Sequence, residues 1–222
     1  VLRRAGERLA ARDLPALAAL GMAEVAVRAP RVAWIEAGPI EGGTAAFLLT
    51  LARAAGATTE TWPADAIGDA AHDLILLGGV GEAPDNPGVA ALARTGRVVA
   101  HGLGARPGTA SGVGVMGGKP VILVPARVED AFGAWVWLVR PVLEALTGAV
   151  AAPPMRPRLT RKVASAVGLA EVVPLRVECG AATPLAVGAM PLSALSAADA
   201  VLVVPAASEG YEAGTEIDAV TL

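Results

Sequence analysis

A doubly wound α/β domain followed by a small C-terminal β domain is the architecture this sequence predicts, on three observations. Residues 74–77 are four consecutive Leu and Ile side chains that run into Gly78-Gly79-Val80-Gly81. Such a run fits a central parallel strand covered on both faces. From residue 30 onward, strand-like and helix-like segments alternate, which is the grammar of a parallel sheet with helices on both sides. After a proline-rich stretch at 149–157, AVAAPPMRP, the pattern changes to short strands broken by Gly, Pro and Ser, which reads as a small β domain.

Taken in order, the first segment (1–29) leads into the core. Asp13 is placed to cap a helix with Pro15 in its first turn and Leu14, Leu17 and Leu20 at helical spacing before Gly21,. Residues 24–27 read as a short strand. The α/β domain spans 30–148. Its strands are expected at 32–35, 58–62, 74–77 and 98–101, with a hairpin of 111–116 and 121–124 joined by Gly117-Gly118-Lys119-Pro120,. Helices are expected at 42–55, ending at Gly56, at 66–71, at 86–94 and at 128–146, closed by Gly148,. The linker is 149–157. The β domain, 158–222, has strands at 159–164, 172–178, 184–187, 200–204 and 216–221 and one helix at 191–198.

Composition narrows the function. A chain of 222 residues buries roughly 70% of its unfolded surface and needs no covalent staple. A hydrophobic fraction of 54% against 18% charged residues excludes disorder. The net charge of −3 argues against a nucleic-acid footprint. One cysteine, Cys179, excludes an internal disulfide and a thiolate metal cluster, and two histidines, His72 and His101, leave little for imidazole ligation,. Both histidines and a buried Cys179 read as structural. The most apolar run, 131–139, stops at Arg140-Pro141 and is too short to span a bilayer,. No membrane partner and a cytoplasmic location are therefore expected.

The chemistry is expected where turns follow core strands, because ligands of open α/β sheets sit beyond the carboxyl ends of the strands. Glu36-Ala37-Gly38-Pro39 follows the first strand, Gly78–Asn86 the third, and Pro125-Ala126-Arg127 the end of the hairpin, while Arg106–Ser111 enters it. Glycines let backbone N–H groups approach an anion, or they serve a tight turn alone. Arg106 and Arg127 either meet an oxyanion, which a guanidinium suits, or pair with Glu129 or Asp130. Thr44 either caps its helix or belongs to an anion site at that helix start. Ser111 is either a donor to phosphate or a hydroxyl that begins a strand. Trp135 and Trp137 read as core or interface on the long helix.

The order of these turns resembles the MoeA and gephyrin E-domain family of molybdopterin molybdotransferases. Gly78-Gly79-Val80-Gly81-Glu82-Ala83-Pro84-Asp85-Asn86 stands where that family has GGVSxGxxD, and Pro107-Gly108-Thr109-Ala110 where it has PGKP. Val124-Pro125-Ala126-Arg127-Val128 and WVWLVRPVLEALTG (135–148) are similar to its LPGNPxSA…FxxFVRPxLxxLxG, and the closing 193–220 is similar to its last domain. The resemblance implies a MogA-like molybdopterin-binding domain followed by a small β-barrel-like domain. It also implies molybdate insertion into adenylylated molybdopterin with Mg²⁺, and a homodimer.

Carried onto this sequence, it makes Glu82 and Asp85 the catalytic candidates, and Glu36, Glu82 and Asp85 the metal candidates. Around the pterin it puts Thr44; Gly78, Gly79, Val80, Gly81 and Asn86; Arg106, Pro107, Gly108, Thr109 and Ser111; and Arg127. The charged positions depart from the pattern. TGDEL is replaced by Glu36-Ala37-Gly38-Pro39-Ile40, the serine of GGVS by Gly81, the lysine of PGKP by Thr109 and the asparagine of PGNP by Arg127. Replacement acids are Glu36, Glu41, Glu82 and Asp85, which otherwise read as solvated loop acids. Two functions follow: an enzyme that inserts molybdate, or a module that holds or delivers the pterin without catalysis. A third is a fold turned to another anionic small molecule.

Overall fold

A computed structural model describes residues 3–69, 71–150 and 152–222. The start of the 1–29 segment, the end of the helix expected at 66–71 and one residue of the 149–157 stretch lie outside the described residues. In chain order the elements are α1 (Leu14–Ala19), β1 (Arg31–Glu36), α2 (Thr44–Ala54), β2 (Thr58–Thr61), a 3₁₀ segment (Ala64–Asp69), β3 (Leu74–Val80), α3 (Pro87–Thr95), β4 (Arg97–His101), β5 (Ala105–Arg106), β6 (Gly112–Met116) and β7 (Lys119–Pro125). One long helical rod follows: α4 (Val128–Ala134), a π-helical stretch (Trp135–Val139) and α5 (Arg140–Thr147). The rest is β8 (Arg158–Leu159), β9 (Val163–Ala164), β10 (Ala170–Glu178), β11 (Ala181–Pro184), α6 (Leu192–Ala197), β12 (Ala200–Val204), β13 (Gly210–Tyr211) and β14 (Ala219–Thr221).

The first sheet has the order β2-β1-β3-β7-β6-β4. β1, β2, β3 and β7 are parallel, and β6 runs antiparallel to both β7 and β4. Alternate residues of the apolar runs enter opposite layers. Val32, Trp34, Leu74, Leu76, Ile122 and Val124 pack with α2, α4 and α5, while Ala33, Ile35, Ile75, Leu77, Val121 and Leu123 pack with α3 and Ile67. Both faces of the central strands are thus buried, as a continuous apolar run requires. The α/β fold class is borne out.

The second sheet, β14-β12-β10-β11-β8, closes on itself. Met155 bridges Ala219 and Arg158 bridges Glu216, so the chain beside β8 also pairs with the approach to β14. The result is the barrel-like domain expected, filled by Val173, Leu175, Ala182, Leu202 and Val204. Its outer face is not free: Val172, Val201 and Met190 join the core layer of α2 and α4. β5 adds to this second sheet, parallel to β10, although it lies in the chain between β4 and β6.

Several local expectations are corrected. Residues 24–27 form no strand. Asp13 precedes α1 but makes no cap bond to it; its carboxylate takes Arg3 and the Ala10 N–H instead. The stretch 159–164 splits into β8 and β9, which pair with different partners. β11 lies at 181–184 rather than 184–187, because Cys179 (φ 50°) and Gly180 (φ 79°) make a two-residue hairpin turn with both residues left-handed,. Cys179 is consequently exposed, not buried. The π-helical stretch precedes Pro141, whose ring and missing N–H disturb the regular ladder of the preceding turn,.

Candidate functional site

Strand order 2-1-3 puts the reversal of strand order between the parallel β1 and β3, where an α/β sheet opens its ligand crevice,. The turns read from sequence meet at that edge. Ala37 N–H donates to the Gly78 carbonyl (2.9 Å), and Glu41 N–H to the Ala126 carbonyl (2.9 Å). His101, at the end of β4, bonds to the Gly81 carbonyl through Nε2 (3.0 Å). Asp130 of α4 accepts the Gly108 N–H (3.0 Å). Segments 36–44, 78–88, 106–111 and 125–130 therefore form one connected rim.

The glycines are explained first by packing. β3 continues through Val80, with a bulge between Gly78 and Val80, where the sequence predicts a turn from residue 78. A Cβ on Gly78 would stand 2.2 Å from the Trp34 ring, and one on Gly79 (φ +83°) would stand 2.3 Å from the Gly38 carbonyl. The pair lets the β1 and β3 ends touch. Asn86 accepts the Gly88 N–H (3.0 Å) and caps α3, with Pro87 in the first turn,.

Thr44 is buried but is not a cap. Gly43 (φ 93°) occupies the cap position, and the Thr44 hydroxyl donates to the Ala126 carbonyl (3.1 Å). Glu41 reaches over the same turn and its carboxylate accepts the Val128 N–H (3.1 Å), capping α4 from 87 residues away. From the sequence Glu41 reads only as a replacement acid or a solvated loop acid. A carboxylate at a helix N-terminus satisfies a free donor and the dipole together.

Of the two arginines, Arg127 is exposed and bonds to Glu129, whose carboxylate holds the guanidinium pKa above its ordinary value. Arg106 donates to the Gly188 carbonyl (3.2 Å), beyond β11 in the second domain, and its Nε is buried without a partner among the described residues. The 106–111 turn begins at a cis Arg106–Pro107 bond. Pro107 offers its carbonyl to Trp137 Nε1 (3.2 Å), so Trp137 belongs to the support of this turn. Pro107 and Gly108 are buried, Thr109 is exposed, and Ser111 is wholly buried. The Ser111 hydroxyl has no hydrogen-bond partner among the described residues and lies 3.0 Å from where a Gly108 Cβ would stand.

The acids do not gather. Glu36, Glu82 and Asp85 are exposed, and among the described residues no hydrogen bond or ion pair engages their side chains. Among the described residues no three His, Cys, Asp and Glu side chains are grouped to hold a metal ion. The residues present thus do not match a protein-built Mg²⁺ site. His72 lies at the opposite end of β3, bonded to Glu60 and edge-on to Trp62 at 5.2 Å, a structural role.

Sequence reasoning missed Asp130 as the partner of Gly108, and it missed Glu171. The latter carried a signal: it is the lone acid in the apolar run 169–175. It is 2% exposed.

Comparison with known proteins agrees with this architecture. Residues 156–222 match the family model described as the MoeA C-terminal region (domain IV). A Methanocaldococcus jannaschii protein described as a molybdopterin biosynthesis protein is 27% identical over 146 residues, taking in 65% of this chain and 35% of the relative. The chain spans about a third of that curated relative's length. The structure of the molybdopterin biosynthesis MoeA protein of Pyrococcus horikoshii superposes with a TM-score of 0.79 at 23% identity, over 99% of this chain and 61% of that one. A Pyrococcus furiosus molybdenum cofactor biosynthesis protein gives 0.75 at 24% identity, over 98% and 77%. The fold is that of the MoeA structures, and the resemblance read from the sequence is borne out.

Proposed function

We propose that this chain is a MoeA-like, molybdopterin-binding protein of molybdenum cofactor biosynthesis, which holds molybdopterin or its adenylylated form at the carboxyl edge of its first sheet. The observation that carries this reading is the single rim formed by the turns at 36–44, 78–88, 106–111 and 125–130, in a chain whose last 67 residues match a MoeA domain. The domain division 30–148 and 158–222 belongs to the same reading. The first domain holds the pterin and the second supports one of its turns.

The residues suit holding better than bond-making. Ser111 keeps a buried hydroxyl unspent, and a buried donor without a partner favours an incoming oxyanion. Nothing lies within 4 Å of where a Cβ of Gly42 or Gly43 would stand, at the start of α2, where N–H groups and the helix dipole attract anions. By contrast Arg127 is occupied by Glu129, and Glu36, Glu82 and Asp85 stand apart in solvent. Molybdate insertion is the finer reading, for which Glu82 and Asp85 are the acids to test. A homodimer is part of the same proposal and is measured by light scattering.

Anaerobic titration with molybdopterin, and separately with its adenylylated form, tests the reading. Saturable binding that weakens on Ser111→Ala is expected. Absence of binding by either form refutes it. Adding molybdate and Mg²⁺ then separates the two roles, since cofactor formation identifies an enzyme and retention of unchanged pterin a carrier.

A further inference from the structure

The 106–111 turn is held from two sides. On the inner side Pro107 meets Trp137, and Gly108 meets Asp130. On the outer side β5 is a strand of the second sheet, with Arg106 in register with Glu171. Between them sits Gly188. Its N–H donates to the Glu171 carboxylate, and its carbonyl accepts from Arg106 Nη1 at 3.2 Å. The second Glu171 oxygen takes the Ser165 hydroxyl at 2.8 Å.

A carboxylate buried this deeply is costly, and an apolar side chain of similar volume serves a barrel core at least as well. What the acid adds is a fixed grip on one peptide. We propose that Glu171 is a positioning residue for the 106–111 turn. It fixes Gly188, Gly188 fixes the Arg106 guanidinium, and the C-terminal domain thereby sets where Pro107–Ser111 stand. Arg106 is then a joint between domains and not an arginine that meets the anion. The inference rests on the reading that this turn borders the pterin, but its structural half is measured without any ligand.

Amide hydrogen exchange on the full chain tests it, with Glu171→Leu, Glu171→Gln and Arg106→Leu. Leu103 and Ser111 report on the turn, because their N–H groups donate to Thr109 and Gly108. Residues 74–77 of β3 serve as the internal reference. Glu171→Leu and Arg106→Leu each speed exchange at Leu103 and Ser111 by at least about tenfold, the scale of one lost charge-assisted bond, and leave β3 unchanged. Glu171→Gln, whose amide oxygen still accepts from Gly188 and whose NH₂ still reaches Ser165, restores the native rates. Unchanged exchange at the turn overturns the proposal, as does an equal rise in β3 or a failure of the Gln variant to rescue. If Glu171→Leu does not fold, Arg106→Leu, outside the barrel core, decides by the same reporters. Molybdopterin titration of the same proteins separates the two readings. Faster turn exchange in a chain that never bound pterin leaves the joint standing and removes the pterin reading. Altered pterin affinity with unaltered exchange removes the joint.

Discussion

Gly133→Ala reverses the sign that helix propensity alone predicts. Gly133 lies inside α4, where exchange of Gly for Ala in an open helix gains about 1 kcal/mol,. Here a Cβ would stand 2.1 Å from the Pro107 carbonyl oxygen and 2.5 Å from its carbon. Restoring an ordinary contact of ~3.4 Å moves the turn by about 1.3 Å. That movement strains or breaks the Pro107–Trp137 and Gly108–Asp130 bonds, and overpacking of a closed contact costs about 1–3 kcal/mol. With lost bonds adding about 1 kcal/mol or more, the propensity gain is exceeded and a net loss of about 2 kcal/mol is expected. Urea unfolding measures it as a midpoint lower by about 1 M at a slope near 2 kcal/mol/M. Gly42→Ala is the control, since nothing lies within 4 Å of its Cβ position. It is expected to leave stability unchanged or to raise it by up to about 1 kcal/mol. A Gly133→Ala chain as stable as the native one refutes the account of how the turn is seated.

Other predictions are more local. Cys179→Asn, which suits a left-handed turn position better than Cys, raises stability by about 0.5–1 kcal/mol, read as an increase of a few degrees in melting temperature. Thr44→Val removes the bond to Ala126 and lowers stability by about 1 kcal/mol, measured by chemical denaturation. Glu41→Ala leaves the Val128 N–H without its carboxylate; a loss of about 1 kcal/mol is expected, and Glu41→Gln recovers part of it. The Asp13 carboxyl is held below its ordinary value, first by Arg3 and then by the Ala10 N–H. Its folded pKa is depressed, so its contribution is complete above the unfolded carboxylate value and is lost as pH falls through the lower folded one. NMR titration of the Asp13 carboxyl carbon is expected to give a midpoint below that of an Arg3→Ala chain.

The parallel sheet was legible because its signal is dense and local. Residues 32–35, 74–77 and 121–124 are apolar on both sides of the period, and each lies within an observed strand. Asn86-Pro87 and Gly117-Gly118 likewise announced a helix start and a tight hairpin. Errors arose where a distant partner decides the structure. Residues 24–27 have strand-like side chains but no strand to pair with. β5 is two residues long and exists because β10 lies beside it. At the site, the meeting of the turns was readable from topology. What each side chain does there was not, since Glu41, Arg106 and Asp130 are committed by partners 87, 82 and 22 residues away.

The placement of β5 also has a consequence for the order in which the molecule is made. Chains are synthesised from the N-terminus, and domains fold in that sequence. The first sheet and the long helical rod are complete once residue 147 is available. The turn that follows β5 then has only its inner supports. Its outer ones, Glu171 and Gly188, arrive after the linker, with the second sheet. The rim of the crevice therefore matures only with the second domain, which at the same time brings Val172, Met190 and Val201 to the core layer of α2 and α4.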